Sequence, residues 1–442
     1  MQNYCSIGQS VALMLSCMLH VGSRTFANLM TSSNQSFRTA NKHELAVMLR
    51  EAHDYTLSLF ACFVQSGADD LLGFFEQCPV NPPVWELGHL AWFAELAVLR
   101  QPSANTQNGQ RLPAMLRQAD AWFDEVILSE NARVILDLPK ATQLITYKNE
   151  VLDRVLDRLS RVDENGDAAA TAAALRPFRQ ALAYEDSIGE IWVNLLQTLG
   201  LRAPLWIERA TAAPWSREEI RFAGGSFTMG VQDEEARRGF AFQHERGAHQ
   251  VKVASFHMDA NLVSNAQFAE FVADNGYQHA QHWSPNGIAW LMQQERSAPL
   301  HWEKSGTWWR TERFGRVINL SPNEPVRHVN LFEVQAYCLW ANRRLPSEQE
   351  WEYAAMAGHP LFHWGDCWEW TWSIFEPYPE FVADDSAVGA ARRASTEAAF
   401  GQCQSVRGAS FVTPQRARDG RVRHFLMPDQ CDFVAGFRTC AL

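Results

Sequence analysis

The chain is poor in the features that would place it in several broad classes. It carries nine cysteines in 442 residues. They show no C-x-x-C pair and no zinc-type spacing, so the sequence encodes neither a disulfide scaffold nor a structural zinc module. Positive charge is scarce, with 39 Lys and Arg against 50 Asp and Glu and a net charge of −11. The densest basic run, RVRHF near 421–425, is too short to form a patch, which argues against a nucleic-acid or anionic-membrane partner. Long apolar runs are missing as well. VALMLSCML (11–19) falls short of the roughly 20 residues that a bilayer-crossing helix needs. It also lacks the preceding Lys or Arg and the following A-x-A site of an export signal. With 47% apolar and 20% charged residues, what remains is a cytoplasmic protein with reduced thiols, long enough for two or three domains.

Helical periodicity begins at Lys42, where Leu45, Met48, Leu49, Ala52, Tyr55 and Leu59 recur at three- and four-residue spacings. A second helix is expected after Pro82-Pro83, in VWELGHLAWFAELAVLR, because proline at a helix entrance loses no hydrogen bond. A third covers about 141–161, with Leu152, Val155, Leu156 and Leu159 as its core face, and a fourth runs from about Leu175 to Gly200. The organisation predicted is a disordered tail over 1–41, a four-helix bundle over 42–200, a linker over 201–220 and a loop-rich α+β domain over 221–442. Two helices are expected in that last domain, at about 263–275 and 330–342.

The C-terminal region carries the most specific signals. WEWTWS (368–373), PYPEF (377–381), VRGASF (406–411) and FVAGFR (433–438) are dense in Trp, Phe, Gly and Arg. That composition suits aromatics packed over irregular backbone, with glycine where the chain passes close to itself. In this order, together with GGSFTMG (224–230) and RRLPSEQEWEYAA (343–355), these motifs resemble the formylglycine-generating-enzyme domain, over about residues 215–442. A helical bundle in front of such a domain resembles the iron-dependent synthases that join hercynine, trimethylated histidine, to a sulfur or selenium donor in ergothioneine and selenoneine biosynthesis. FQHERGAHQV (242–251), GASF (408–411) and FRTCAL (437–442) are most similar to the selenoneine branch. The resemblance implies a DinB-like bundle, Fe(II) as cofactor, a hercynine-like betaine as substrate and a thiol or selenosugar as donor.

In that family, three histidines hold Fe(II), one at the start of the second bundle helix and two in an H-x3-H-x-E motif on the last. Positions i and i+4 share a helix face, so two imidazoles can converge on one metal while open positions remain for O2 and substrate. His89, in PPVWELGHLAWFAE, matches the first ligand. The second motif reads Tyr184-Glu-Asp-Ser-Ile188-Gly-Glu190, so Tyr184 and Ile188 occupy both remaining ligand positions and only Glu190 is kept, as a partner behind the ligands. An isoleucine cannot ligate, and a phenol with a pKa near ~10 is a poor ligand unless a strong Lewis acid is already in place.

The other histidine pairs, His244/His249, His279/His282 and His359/His363, stand in segments without helical pattern and read as solvated or locally bonded side chains. After PYPEF, where the family commonly carries a tyrosine that donates a proton, DDSAVGAARRASTEAAFGQ (384–402) has none. Trp368, Trp370, Trp372 and Phe425 are the candidates for a substrate wall, since aromatic faces attract a trimethylammonium group. Arg407 and Arg438 read as structural. Two functions stay open: an Fe(II)- and O2-dependent synthase, or a member that keeps the fold and betaine binding without iron chemistry. Formylglycine generation is weaker, because Cys338, Cys367, Cys403, Cys431 and Cys440 do not stand in its motif.

Overall fold

A computed structural model describes residues 35–68, 81–101, 112–125, 127–128, 132–133, 135–208, 217–379, 381–382 and 396–442. Helix α1 (Lys42–Ser66) starts at a capping box in which Asn41 and Glu44 exchange side-chain and backbone bonds, and it stops at Gly67 in the left-handed conformation. Helix α2 (Pro83–Ala94) opens on its proline and runs into a π-helical turn, Glu95–Leu99. Helix α3 spans Ala141–Ser160. Helix α4 (Ala168–Thr198) begins earlier than the apolar stripe suggests, because Asp167 caps an alanine-rich first segment and Pro177 is accommodated inside the helix. The four helices pack around one core that includes Phe60, Trp85, Phe123, Leu182 and Trp192.

The C-terminal domain combines small sheets with helices. Its central sheet has the order β3-β2-β1-β4, with β1 (Trp368–Ile374), β2 (Gln404–Gly408), β3 (Arg423–Leu426) and β4 (Ala435–Gly436). The β1/β2 and β2/β3 pairs are antiparallel and β4 runs parallel to β1. Helices Asn265–Ala273 and Leu331–Trp340 lie where expected. Two further helices, Pro285–Gln294 and Glu348–Ala357, escaped the sequence reading although each carries an entrance signal: Ser284 before Pro285, and a Ser347/Glu350 capping box. Buried bidentate ion pairing fixes Arg438 to Glu369, and Arg407 pairs with Glu352, so both arginines hold the fold together.

Residues 35–41 depart from the tail expectation. Phe37 and Arg38 are buried, and the Phe37 N–H donates to the Arg416 carbonyl at 3.1 Å. A phenyl ring and a paired guanidinium gain more from burial against the second domain than a solvated tail would. The apolar stretch 11–19 and the rest of 1–34 lie outside the described residues. Among the described residues no helix is long and apolar enough to cross a membrane.

Candidate functional site

One face of α4 docks on the C-terminal domain through side chains spaced four, four and three residues apart. Asp186 forms a bidentate pair with Arg416 at 2.6 and 3.0 Å. Glu190 accepts from the Trp368 indole at 2.7 Å, from Ser410 at 2.5 Å and from Thr413 at 3.0 Å. Asn194 accepts from the Val434 N–H at 2.8 Å, and Gln197 from the Phe314 N–H at 2.9 Å. The adjacent stripe, carrying Tyr184 and Ile188, is left facing a cavity of about 620 Å³ between the domains. Across it stand Trp368, His424, Phe425 and Phe433. His424 lies tilted between Trp368 and Phe433, with ring centroids 5.2 and 5.3 Å away.

His89 is brought to the same place from α2. Its Nδ1–H donates to the Phe123 carbonyl at 2.8 Å, which in the neutral ring leaves the lone pair on Nε2. The ring stacks on Trp85 at 4.7 Å and meets the Tyr184 ring edge-on at 5.5 Å. A histidine held by its far nitrogen in this way is oriented as metal-ligating histidines are. What surrounds Nε2 differs from a metal centre. Glu125 approaches to 3.7 Å. The Tyr184 hydroxyl is bonded to Glu86 at 3.0 Å, and its ring stacks on Phe93 at 4.3 Å. Glu86 also accepts from Asn81 at 2.8 Å, and burial raises its carboxyl above the ordinary range. Ile188 presents hydrocarbon.

Tyr184, Ile188 and Glu190 thus line the cavity between the domains, with Trp368 and Phe425 on the opposite wall, and His89 sits buried in the bundle with its ring 5.5 Å from that of Tyr184. The structure does not bring Trp370 or Trp372 to the cavity. Trp370 is fully buried and donates to the Val329 carbonyl at 2.8 Å, while Trp372 is 64% exposed. Strand alternation would put all three tryptophans on one face; Trp368 and Trp370 do share one core cluster, and the strand pairing shifts register after Trp370, ahead of the exposed Trp372. Sequence reasoning missed Glu86, Glu125, His424 and Phe433. The i, i+3 spacing of Glu86 and His89 on α2 was the available signal for the first of them.

These residues do not fit Fe(II). Among the described residues, no group of three His, Cys, Asp or Glu side chains converges on one point. At the two substituted positions one side chain is committed to a hydrogen bond and the other is aliphatic, so a facial three-ligand set cannot assemble. Burial pushes the Cys367 and Cys440 thiols up to about 12, which disfavours nucleophilic chemistry at those two cysteines. Of the tyrosine-free segment, 383–395 lies outside the described residues. The part that follows packs Phe400 on Phe375 at 5.1 Å.

Residues 207–366 match the sulfatase-modifying factor enzyme 1-like domain family. Over 341 residues the chain is 33% identical to the hercynine oxygenase of Mycolicibacterium thermoresistibile, covering 74% of this chain and 70% of that protein. A second hercynine oxygenase, from Mycolicibacterium smegmatis, is 30% identical over 354 residues, covering 69% and 78%. A formylglycine-generating enzyme from Streptomyces coelicolor is 34% identical over 164 residues, which span only 34% of this chain and 51% of that one. The longer matches run through both the helical and the sheet-bearing regions, and with them the chain belongs to the hercynine oxygenase family.

Proposed function

We propose that this chain binds a hercynine-like betaine in the cavity between its domains and does not carry out iron-dependent oxidation there. The observation that carries the proposal is the state of the two substituted positions. Tyr184 donates to Glu86 at 3.0 Å and Ile188 turns a hydrocarbon side chain to the cavity. The wall opposite is built of Trp368, His424, Phe425 and Phe433. Such faces attract a quaternary ammonium by up to about 2 kcal/mol where water is excluded. Glu190, on the cavity lining, holds the Trp368 indole in place and ties α4 to the second domain.

A second reading is favoured by His89, whose ring keeps a ligand's orientation. In it the chain is a selenoneine-branch synthase with a DinB-type helical domain, acting in the cytoplasm on hercynine and a thiol or selenosugar donor. The two readings separate in one experiment. Purified protein is loaded with Fe(II) without oxygen, desalted, analysed for iron, and then given hercynine, donor and O2. The expected result is far less than one iron per chain and no product. Stoichiometric iron with steady product formation would establish the synthase instead.

A further inference from the structure

We infer that residues 36–40 form a strap that closes the cavity between the domains, and that Phe37 sets the width of the cavity on that side. The inference extends the proposed binding function and rests on it only for the identity of the enclosed ligand. Phe37 lines the cavity and is 1% exposed. Its ring starts an aromatic ladder along one wall: Phe37 to Phe240 at 5.4 Å, Phe240 to Phe242 at 5.2 Å, and Phe242 stacked on His244 at 5.7 Å. A flat side chain delivered from outside both domains is well placed to select among ligands by shape.

The strap is held at both ends and by a central latch. The Phe37 N–H donates to the Arg416 carbonyl at 3.1 Å, and the Ala40 carbonyl accepts from Arg179 at 3.0 Å. Between them Arg38 grips Glu245 with two bonds of 2.7 and 2.9 Å and donates to the Phe240 carbonyl at 3.2 Å. Glu245 is fully buried, and its second duty is to accept from the Phe242 N–H at 2.9 Å. The latch therefore ties the strap directly to the aromatic ladder. A buried bidentate pair fixes geometry strongly, and removing one partner strands the other. The backbone passes closely as well, since a Cβ on Gly239 would meet the Arg38 carbonyl oxygen at 2.8 Å. Gly239→Ala should consequently push the strap out without touching a charged group.

The test uses the full chain with Phe37→Cys, measuring alkylation of that thiol by N-ethylmaleimide through peptide mass mapping. A closed strap should slow alkylation roughly 100-fold relative to the urea-unfolded chain, as expected for a site that reacts only on local opening. Adding Glu245→Gln or Gly239→Ala should speed it about tenfold or more, through loss of charged hydrogen bonds or by steric displacement. The two variants act independently, so one that fails to fold leaves the other to decide. Alkylation in the parent as fast as in urea, or unaltered by a folded latch variant, would overturn the strap. Hercynine serves as probe in a parallel arm. If it slows alkylation further, the strap encloses the proposed ligand. If it changes nothing while the latch variants still accelerate the reaction, the strap stands and betaine binding falls.

Discussion

Replacing Glu190 tests how the helical domain positions the cavity wall. Its carboxylate receives the Trp368 indole and the Ser410 and Thr413 hydroxyls. In Glu190→Ala the two hydroxyls, whose oxygens lie 3.3 Å apart, can turn to each other. The buried indole N–H has no such freedom. Stranding it costs about 1–3 kcal/mol, and the lost charged hydrogen bonds a further ~1.5–3 kcal/mol. Relief of the buried charge returns part of this, because burial raises the Glu190 carboxyl more than its three donors lower it. The net expectation is a destabilisation of roughly 2–4 kcal/mol in urea unfolding followed by fluorescence. Glu190→Gln keeps an acceptor and should recover most of it. The pH dependence has a definite sign. A carboxyl whose folded value is raised contributes stability at low pH that is lost as pH rises through that value. The unmodified chain should therefore gain on Glu190→Gln as the pH falls through that raised value toward the ordinary carboxyl range. The reasoning is refuted if Glu190→Ala unfolds with the unmodified chain, or if Glu190→Gln is no better than Glu190→Ala.

Three further expectations follow from the same geometry. The paired change Tyr184→His and Ile188→His rebuilds an i, i+4 imidazole couple beside His89 and should raise Fe(II) affinity by at least about 100-fold in a competitive chelator titration; unchanged affinity would mean that the backbone no longer presents these positions to one point. Trp368→Ala should weaken hercynine binding about tenfold or more, whereas Trp372→Ala, on an exposed side chain, should leave the dissociation constant unaltered. Acid should unfold the helical domain in part through His53, held near a pKa of about 4 by burial and by Lys148. Stability present above the unfolded value near ~6.5 is lost as pH falls toward 4, by about 3 kcal/mol at most. His53→Gln should flatten that part of the stability profile.

Helix positions were largely legible because their entrances carry local chemistry: Asn41 with Glu44, and Pro82-Pro83 ahead of α2. The early start of α4 was hidden, since an alanine run has helical propensity without an apolar stripe. The cluster of His89, Tyr184, Ile188 and Glu190 could be read because helix spacing and the family motif agreed. The tryptophan repeat misled, as WEWTWS sends Trp368 to the cavity, Trp370 to the core and Trp372 to solvent. The burial of Phe37 was not readable at all. Nothing in a short segment ahead of Lys42 announces a partner more than 200 positions away, such as Glu245.

Betaine binding without iron is tested by a calorimetric titration of the unmodified chain with hercynine in the presence of a strong chelator. Saturable binding of one hercynine per chain is expected, with the same affinity when the chelator is omitted. No heat at millimolar hercynine, or binding that appears only after Fe(II) is retained, would contradict it.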